Sequence, residues 1–198
     1  LPTLTPRLYD SHANIERQLN ARNWGLGDSQ TTLYGGIQTW QTLRDRDPLT
    51  DPTLSNIDTP YRREPQLGIR SRSGQDTGLA WALQGEFNRF TNADARKPFG
   101  NRVHTVGQIG QNFNLGGLSL TPRLSVNGTS YDMDQPVLNG KRSATRILPT
   151  FSLDSGLVME RPLHVFSRDL TQTLEPRIQY VRTPYKDQSF LPLFDSAP

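Results

Sequence analysis

The chain has 198 residues, of which 33% are hydrophobic, and it carries a formal charge of +3. No run approaches the ~18 consecutive apolar residues that a membrane-spanning helix needs, so a helical membrane protein is excluded. Cysteine is absent, which removes a disulfide framework and thiolate metal sites, and the scattered Lys and Arg form no basic stripe of the nucleic-acid kind. The mean hydropathy of −0.64 suits a water-soluble chain. Aromatic residues nevertheless recur at intervals, as they do in a barrel whose strands have one wet face each. The chain starts at Leu1 without a basic or apolar leader. For an exported barrel, that reads as an internal portion of a longer protein.

The signal along the chain is alternation with period two, the mark of strands with one polar and one apolar face. Weak versions occur at 15–24 and 30–43. At 61–72, Tyr61, Arg63, Pro65, Leu67 and Ile69 oppose Arg62, Glu64, Gln66, Arg70 and Arg72. At 77–90, Leu79, Trp81, Leu83 and Phe87 oppose Gln84, Glu86 and Asn88. At 102–114, Val103, Ile109 and Phe113 oppose Arg102, His104, Gln108 and Asn112. At 118–131, Leu118, Leu120, Leu124 and Val126 oppose Ser119, Thr121, Arg123, Ser125 and Asn127. A further weak stretch is 144–153. At 170–181, Leu170, Leu174, Ile178 and Tyr180 oppose Thr171, Thr173, Glu175, Arg177 and Gln179.

These stretches run about ten to fourteen residues, against about five or six for a globular strand and roughly 9–11 for a tilted membrane strand. Connections alternate in length. Residues 44–60, 91–101 and 132–143 are long, whereas 73–76, 114–117 and 154–156 are short, and 162–169 is intermediate. Tight turns on one side and long loops on the other are the habit of outer-membrane barrels, so the long loops face outward on this parity. Proline falls inside or beside several stretches, at Pro6, Pro65, Pro122, Pro149 and Pro176. Lacking an N–H, each should sit at a bulge or a missing ladder bond. The fold expected is an all-β antiparallel transmembrane barrel, present here as about nine or ten strands of a larger one. A soluble all-β domain is the alternative.

The tail carries the most specific string, Gln172-Thr173-Leu174-Glu175-Pro176-Arg177-Ile178-Gln179-Tyr180 followed by Thr183-Pro184-Tyr185-Lys186-Asp187-Gln188-Ser189. It resembles a segment of the LptD (OstA, organic solvent tolerance) family. Pro60 to Leu67, Arg102-Val103-His104 and Arg146 to Phe151 resemble the same family in the same order. The resemblance implies an internal part of a lipopolysaccharide-assembly barrel in the bacterial outer membrane. It further implies that the N-terminal periplasmic domain and the remaining strands lie outside these residues. The partners implied are lipopolysaccharide, membrane lipid, the LptE plug lipoprotein and, through the N-terminal domain, the periplasmic LptA bridge.

No catalytic motif occurs: there is no Gly-x-Ser-x-Gly elbow, no His-Glu-x-x-His and no phosphate-cradling glycine loop. No cofactor or metal is expected, no nucleic acid, and no enzymatic activity. His12, His104 and His164 are far apart in sequence, and Asp45, Asp47 and Asp51 match no cation-binding loop. Arg70, Gln84, Glu86, Gln108, Arg123, Glu175 and Arg177 are the inward-facing candidates. They would either solvate a phosphorylated saccharide or pair with one another across strands. Pro184, Tyr185, Lys186, Asp187 and Gln188 read as a folded loop with a structural aspartate. A porin or receptor barrel is the functional alternative.

Overall fold

The computed structural model describes residues 8–20, 28–42, 59–73, 78–136, 140–166, 168–192 and 194. Its elements are β1 (Leu8–Asn20), β2 (Gln30–Thr42), β3 (Arg62–Arg72), β4 (Leu79–Thr91), β5 (Gly100–Gln111), β6 (Phe113–Leu115), β7 (Leu118–Met133), β8 (Ser143–Leu157), β9 (Met159–Val165), β10 (Arg168–Leu174) and β11 (Arg177–Arg182). One antiparallel sheet runs β1-β2-β3-β4-β5-β7-β8-β11, with β6 also on β7, while β9 and β10 pair separately. Each long strand lies beside its sequence neighbour, the up-and-down order of a barrel wall. The sheet is not closed within this chain: β1 and β11 stand at its two ends.

Long rows break beside three of the prolines, where the backbone donor is missing, and run on unbroken at Pro149. β5 and β6 share one frame against β7, since Gly110 pairs with Arg123 and Phe113 with Leu120. The gap in that row lies opposite Thr121 and Pro122. Pro176 separates β10 from β11, and Pro65 sits in a register shift between Arg63 and Gln66 on the β3–β4 ladder. Pro149 pairs with Val126 in an unbroken β7–β8 ladder, two residues past the last β11 partner, Phe151. Pro6 lies outside the described residues.

Cross-strand partners project to the same side, so the register sorts the sheet into two faces. Leu67 pairs with Phe87 and Phe87 with Val103; Ile109 pairs with Leu124 and Leu124 with Phe151; Leu153 pairs with Tyr180. Of the alternation expected at 61–72, 77–90, 102–114 and 118–131, the described residues from Gln66 onward form one continuous pattern. The shift at Pro65 has a consequence that spacing alone misses. Arg63 pairs with Phe90, and Tyr61 packs on Phe90, so both leave the apolar face for the polar one.

Three further expectations fail near the end of the chain. Asp154-Ser155-Gly156 is no turn: Asp154 pairs with Thr121 on one side and Gln179 on the other. Nor is 170–181 one strand, or 162–169 a loop. Arg177↔Gly156 and Leu174↔Met159 share one frame, so β8–β9 and β10–β11 form one long hairpin, interrupted at Val158 and at Glu175-Pro176, with its tip at Phe166. This tip lies at the short-turn end, with Ser73, Gly78 and the turn at 116–117. Thr42, Tyr61, the 92–99 connection, Asp134 and Arg142 lie at the opposite, long-loop end.

At that long-loop end a small core forms on the polar face. Phe194 stacks on Phe90 at 4.4 Å between ring centroids and meets Tyr61 edge-on at 5.0 Å, with Tyr131, Met133 and Ala144 buried around them. Aromatic pairs of this geometry contribute about 0.5–1.5 kcal/mol each beyond area burial. The tail after β11 is thereby folded back across the sheet.

Candidate functional site: the two faces of the sheet

The apolar face is bare. Ile37, Leu67, Leu83, Val103, Ile109, Leu124, Ile147 and Phe151 lie on it, each 41–53% exposed, and Ile178 is 73% exposed. Along β8 it runs from Ile147 to Leu157. Ten residue steps at ~3.4 Å, tilted by about 40°, give a band of roughly 25 Å, the height of the apolar belt of an outer-membrane barrel. In water such a contiguous apolar surface would exceed the few hundred Å² that a soluble monomer exposes.

The polar face holds six of the seven candidate residues. Arg70 pairs with Gln84, Glu86 with His104, Gln108 with Ser125, Arg123 with Ser152 and Arg177 with Gly156, all within the frame opposite the apolar one. Glu175 does not join them, because it lies in the break between β10 and β11 and is exposed. Arg70, Gln84 and Gln108 line an open groove of about 780 Å³ at the short-turn end, together with Gln18, Gln30 and Thr32.

Toward the long-loop end the face becomes a hydrogen-bonded network. The Tyr34 hydroxyl donates to Glu86 Oε2 at 2.6 Å, and Asn88 Nδ2 donates to Glu86 Oε1 at 2.6 Å. Arg102 Nη2 stands 4.0 Å from the same carboxylate, while its guanidinium lies 4.7 Å from the Phe90 ring centroid. Arg70 sits 4.3 Å from the Tyr34 ring centroid. Tyr34 reaches Glu86 by crossing its partner Gly68, where any Cβ would meet the ring. Buried Thr129 joins His104 Nδ1 at 3.0 Å to Arg146 Nη2 at 3.2 Å. Arg146 Nη1 donates to Gln188 Oε1 at 2.5 Å.

That last bond fastens the tail motif to the wall. Asp187 Oδ1 accepts from the Ser189 amide at 3.0 Å, which holds its carboxyl below the usual carboxylate range. The Gln188 carbonyl accepts from the Leu191 amide at 3.1 Å. Pro184 opens this loop, Tyr185 is 93% exposed and Lys186 is exposed. Parity does not single out Tyr34 or Arg146, since each sits on a weakly alternating stretch. The cue available was Gly68: a glycine inside a strand invites a neighbouring ring. Among the described residues no cluster of three His, Asp or Glu side chains could hold a metal ion, and Asp45, Asp47 and Asp51 lie outside them.

The chain matches the family described as LPS transport system D over residues 6–198. It is 39% identical to the LPS-assembly protein LptD of Acidovorax sp. (strain JS42) over 98% of its own length and 22% of the relative. It is 43% identical to LptD of Polaromonas sp. (strain JS666) over 79% of its length and 19% of the relative, and 40% identical to that of Aromatoleum aromaticum over 81% and 19%. The chain thus spans about a fifth of these relatives.

Proposed function

This chain belongs to the LPS transport system D family, and from that premise we propose that its sheet is one section of a barrel wall that guides lipopolysaccharide into the outer leaflet. The wall is that of a transmembrane β-barrel of the outer membrane. The observation that carries the transport reading is the single frame that puts Arg70, Gln84, Glu86, Gln108, Arg123 and Arg177 on one side and a bare apolar band on the other.

In this reading the polar face borders the lumen. Lipopolysaccharide presents phosphates and acidic sugars, which guanidinium and amide groups solvate. Arg70, Arg102, Arg123 and Arg146 supply the first, Gln84 and Gln108 the second. A translocating wall must also release its cargo. Arg123 and Arg177 are exposed, and exposed charge contacts contribute only about 0–1 kcal/mol each, so their contacts are easily exchanged. The process is non-covalent passage with no bond made or broken. Tight turns put the short-turn end in the periplasm, and β1 and β11 are where the wall would continue. The family resemblance adds an N-terminal periplasmic domain docking the LptA bridge, and the LptE lipoprotein seated inside the barrel against this face.

Site-specific photo-crosslinking in the intact parent protein in cells tests this. A probe at Arg70, Gln84 or Arg177 should yield lipopolysaccharide adducts, and a probe at Leu67 or Leu79 should yield phospholipid or nothing. Silence at all three polar positions in a correctly assembled barrel would remove the cargo from this face.

A further inference from the structure

The β9–β10 hairpin extends beyond the point where its sheet ends. Leu118 at the start of β7 pairs with Leu157, and the preceding turn is clamped to Val158, whose amide donates to the Gly117 carbonyl at 2.8 Å. Beyond Val158, among the described residues, no strand of the larger sheet accompanies the hairpin, which runs seven residues down and seven back. At about 3.4 Å per residue it projects more than 20 Å past the neighbouring turn.

Its two faces differ. In the frame continued from Leu157 and Ile178, one face carries Met159, Arg161 and Leu163 with Arg168, Leu170, Gln172 and Leu174 across from them. Leu163 pairs with Leu170, and Met159 with Leu174; all four are exposed. Arg161 Nε donates to Gln172 Oε1 at 2.7 Å. The other face carries Glu160, Pro162, His164, Asp169, Thr171 and Thr173, with His164 Nδ1 2.6 Å from Asp169 Oδ1. At the tip Phe166 is 96% exposed and holds a φ of +50°, costly for a bulky residue.

We propose that this hairpin is a membrane-surface anchor, with its apolar and cationic face seated on the anionic phospholipid headgroups of the leaflet at the short-turn end. The occupant follows from continuity and charge. This face prolongs the apolar belt that already meets lipid, and both of its charged residues are cationic, whereas the carboxylates lie on the opposite face. The ladder break at Val158 and Glu175-Pro176 supplies the bend. A hairpin that leans outward there turns its outer face up against the leaflet, where apolar side chains enter the interface and arginines meet phosphates. The inference rests on the barrel reading but not on the cargo.

The test uses the full-length parent protein in vesicles of phosphatidylethanolamine and phosphatidylglycerol. Nitroxide probes are placed singly at Leu163 on the anchoring face, at Thr171 on the opposite face and at Leu124 in the belt. Relative accessibility to dissolved oxygen over an aqueous nickel chelate should be highest at Leu124, intermediate at Leu163 and severalfold lower than Leu163 at Thr171. Joint Arg161→Glu and Arg168→Glu replacement should lower the Leu163 value severalfold toward that of Thr171 and leave Leu124 unchanged. Equal nickel access at Leu163 and Thr171, with Leu124 still in lipid, would put the hairpin in water and overturn the anchor alone. Shielding of Leu163 from both reagents would mean protein packing and overturn it as well. A water-exposed Leu124 would sink the barrel reading together with it.

Discussion

Glu86 joins three strands of the polar face. It accepts from Tyr34 on β2 and Asn88 on β4 and faces Arg102 on β5. A hydrogen bond to a charged acceptor contributes about 1.5–3 kcal/mol when fully buried, and somewhat less for this partly buried pair. Tyr34→Phe should therefore cost about 1 kcal/mol in urea unfolding from lipid vesicles, and combination with Glu86→Ala should reveal coupling of roughly 0.5–3 kcal/mol. Strict additivity would mean that the contact carries no stability. In the 92–99 connection, Asp94 accepts from the Arg96 amide and from its guanidinium, at 3.0 Å and 2.9 Å, and chiefly this side-chain bond lowers its carboxyl to about 2. Because the folded pKa lies below the ordinary value of about 3.9, the order it supports is complete above that value and fades as pH falls toward 2. The Asp94 carboxyl ¹³C shift should titrate near 2, and Arg96→Ala should return its midpoint toward 3.9. An unchanged midpoint would show that Arg96 is not the cause.

At the scale of elements, the turn before β7 controls how the long hairpin leaves the sheet. Gly116 has φ +63°, as the first central position of a two-residue turn demands, and a Cβ on Gly117 would stand 2.4 Å from the Val158 carbonyl oxygen. Gly117→Ala must push this turn off Val158 and should cost about 1–3 kcal/mol. Gly107→Ala meets nothing closer than Leu83 Cδ1 at 4.0 Å and should be neutral or slightly stabilising in the same unfolding assay. Equal effects would dismiss the Val158 contact. Alternation made most of the strands legible because each side chain answers to one face only. What it could not locate were changes of frame. The bulge at Pro65 moves Tyr61 and Arg63 to the polar side, and Asp154-Ser155-Gly156 stays extended because β7 and β11 pair with it from both sides. Turn-forming residues yield to two flanking ladders, and no local pattern records that.

At the scale of the whole molecule, none of the described residues forms the second layer that a soluble β domain would lay over its apolar side. Its buried hydrophobic core among the described residues is the cluster around Phe90, at one end and on the polar face. Six candidate wall residues could be placed in advance, because orientation follows from parity. Their neighbours Tyr34, Arg146 and Gln188 could not, because they meet across strands and through a tail that doubles back. The orientation itself makes the sharpest demand. Leu124 and Ser125 are adjacent but lie on opposite faces, Leu124 between Ile109 and Phe151 and Ser125 between Gln108 and Thr150. An arginine on the lipid face near the midplane costs about 2–4 kcal/mol, whereas one on a wet face is solvated where it stands. In the parent barrel, Leu124→Arg should sharply reduce the folded, heat-modifiable form recovered from outer membranes, and Ser125→Arg should leave it near the unmodified level. If both were tolerated, the Leu124 face would be wet and the membrane belt would have to lie elsewhere. If only Ser125→Arg failed, the two faces would be exchanged, and the proposed cargo path would move with them to the other side of the sheet.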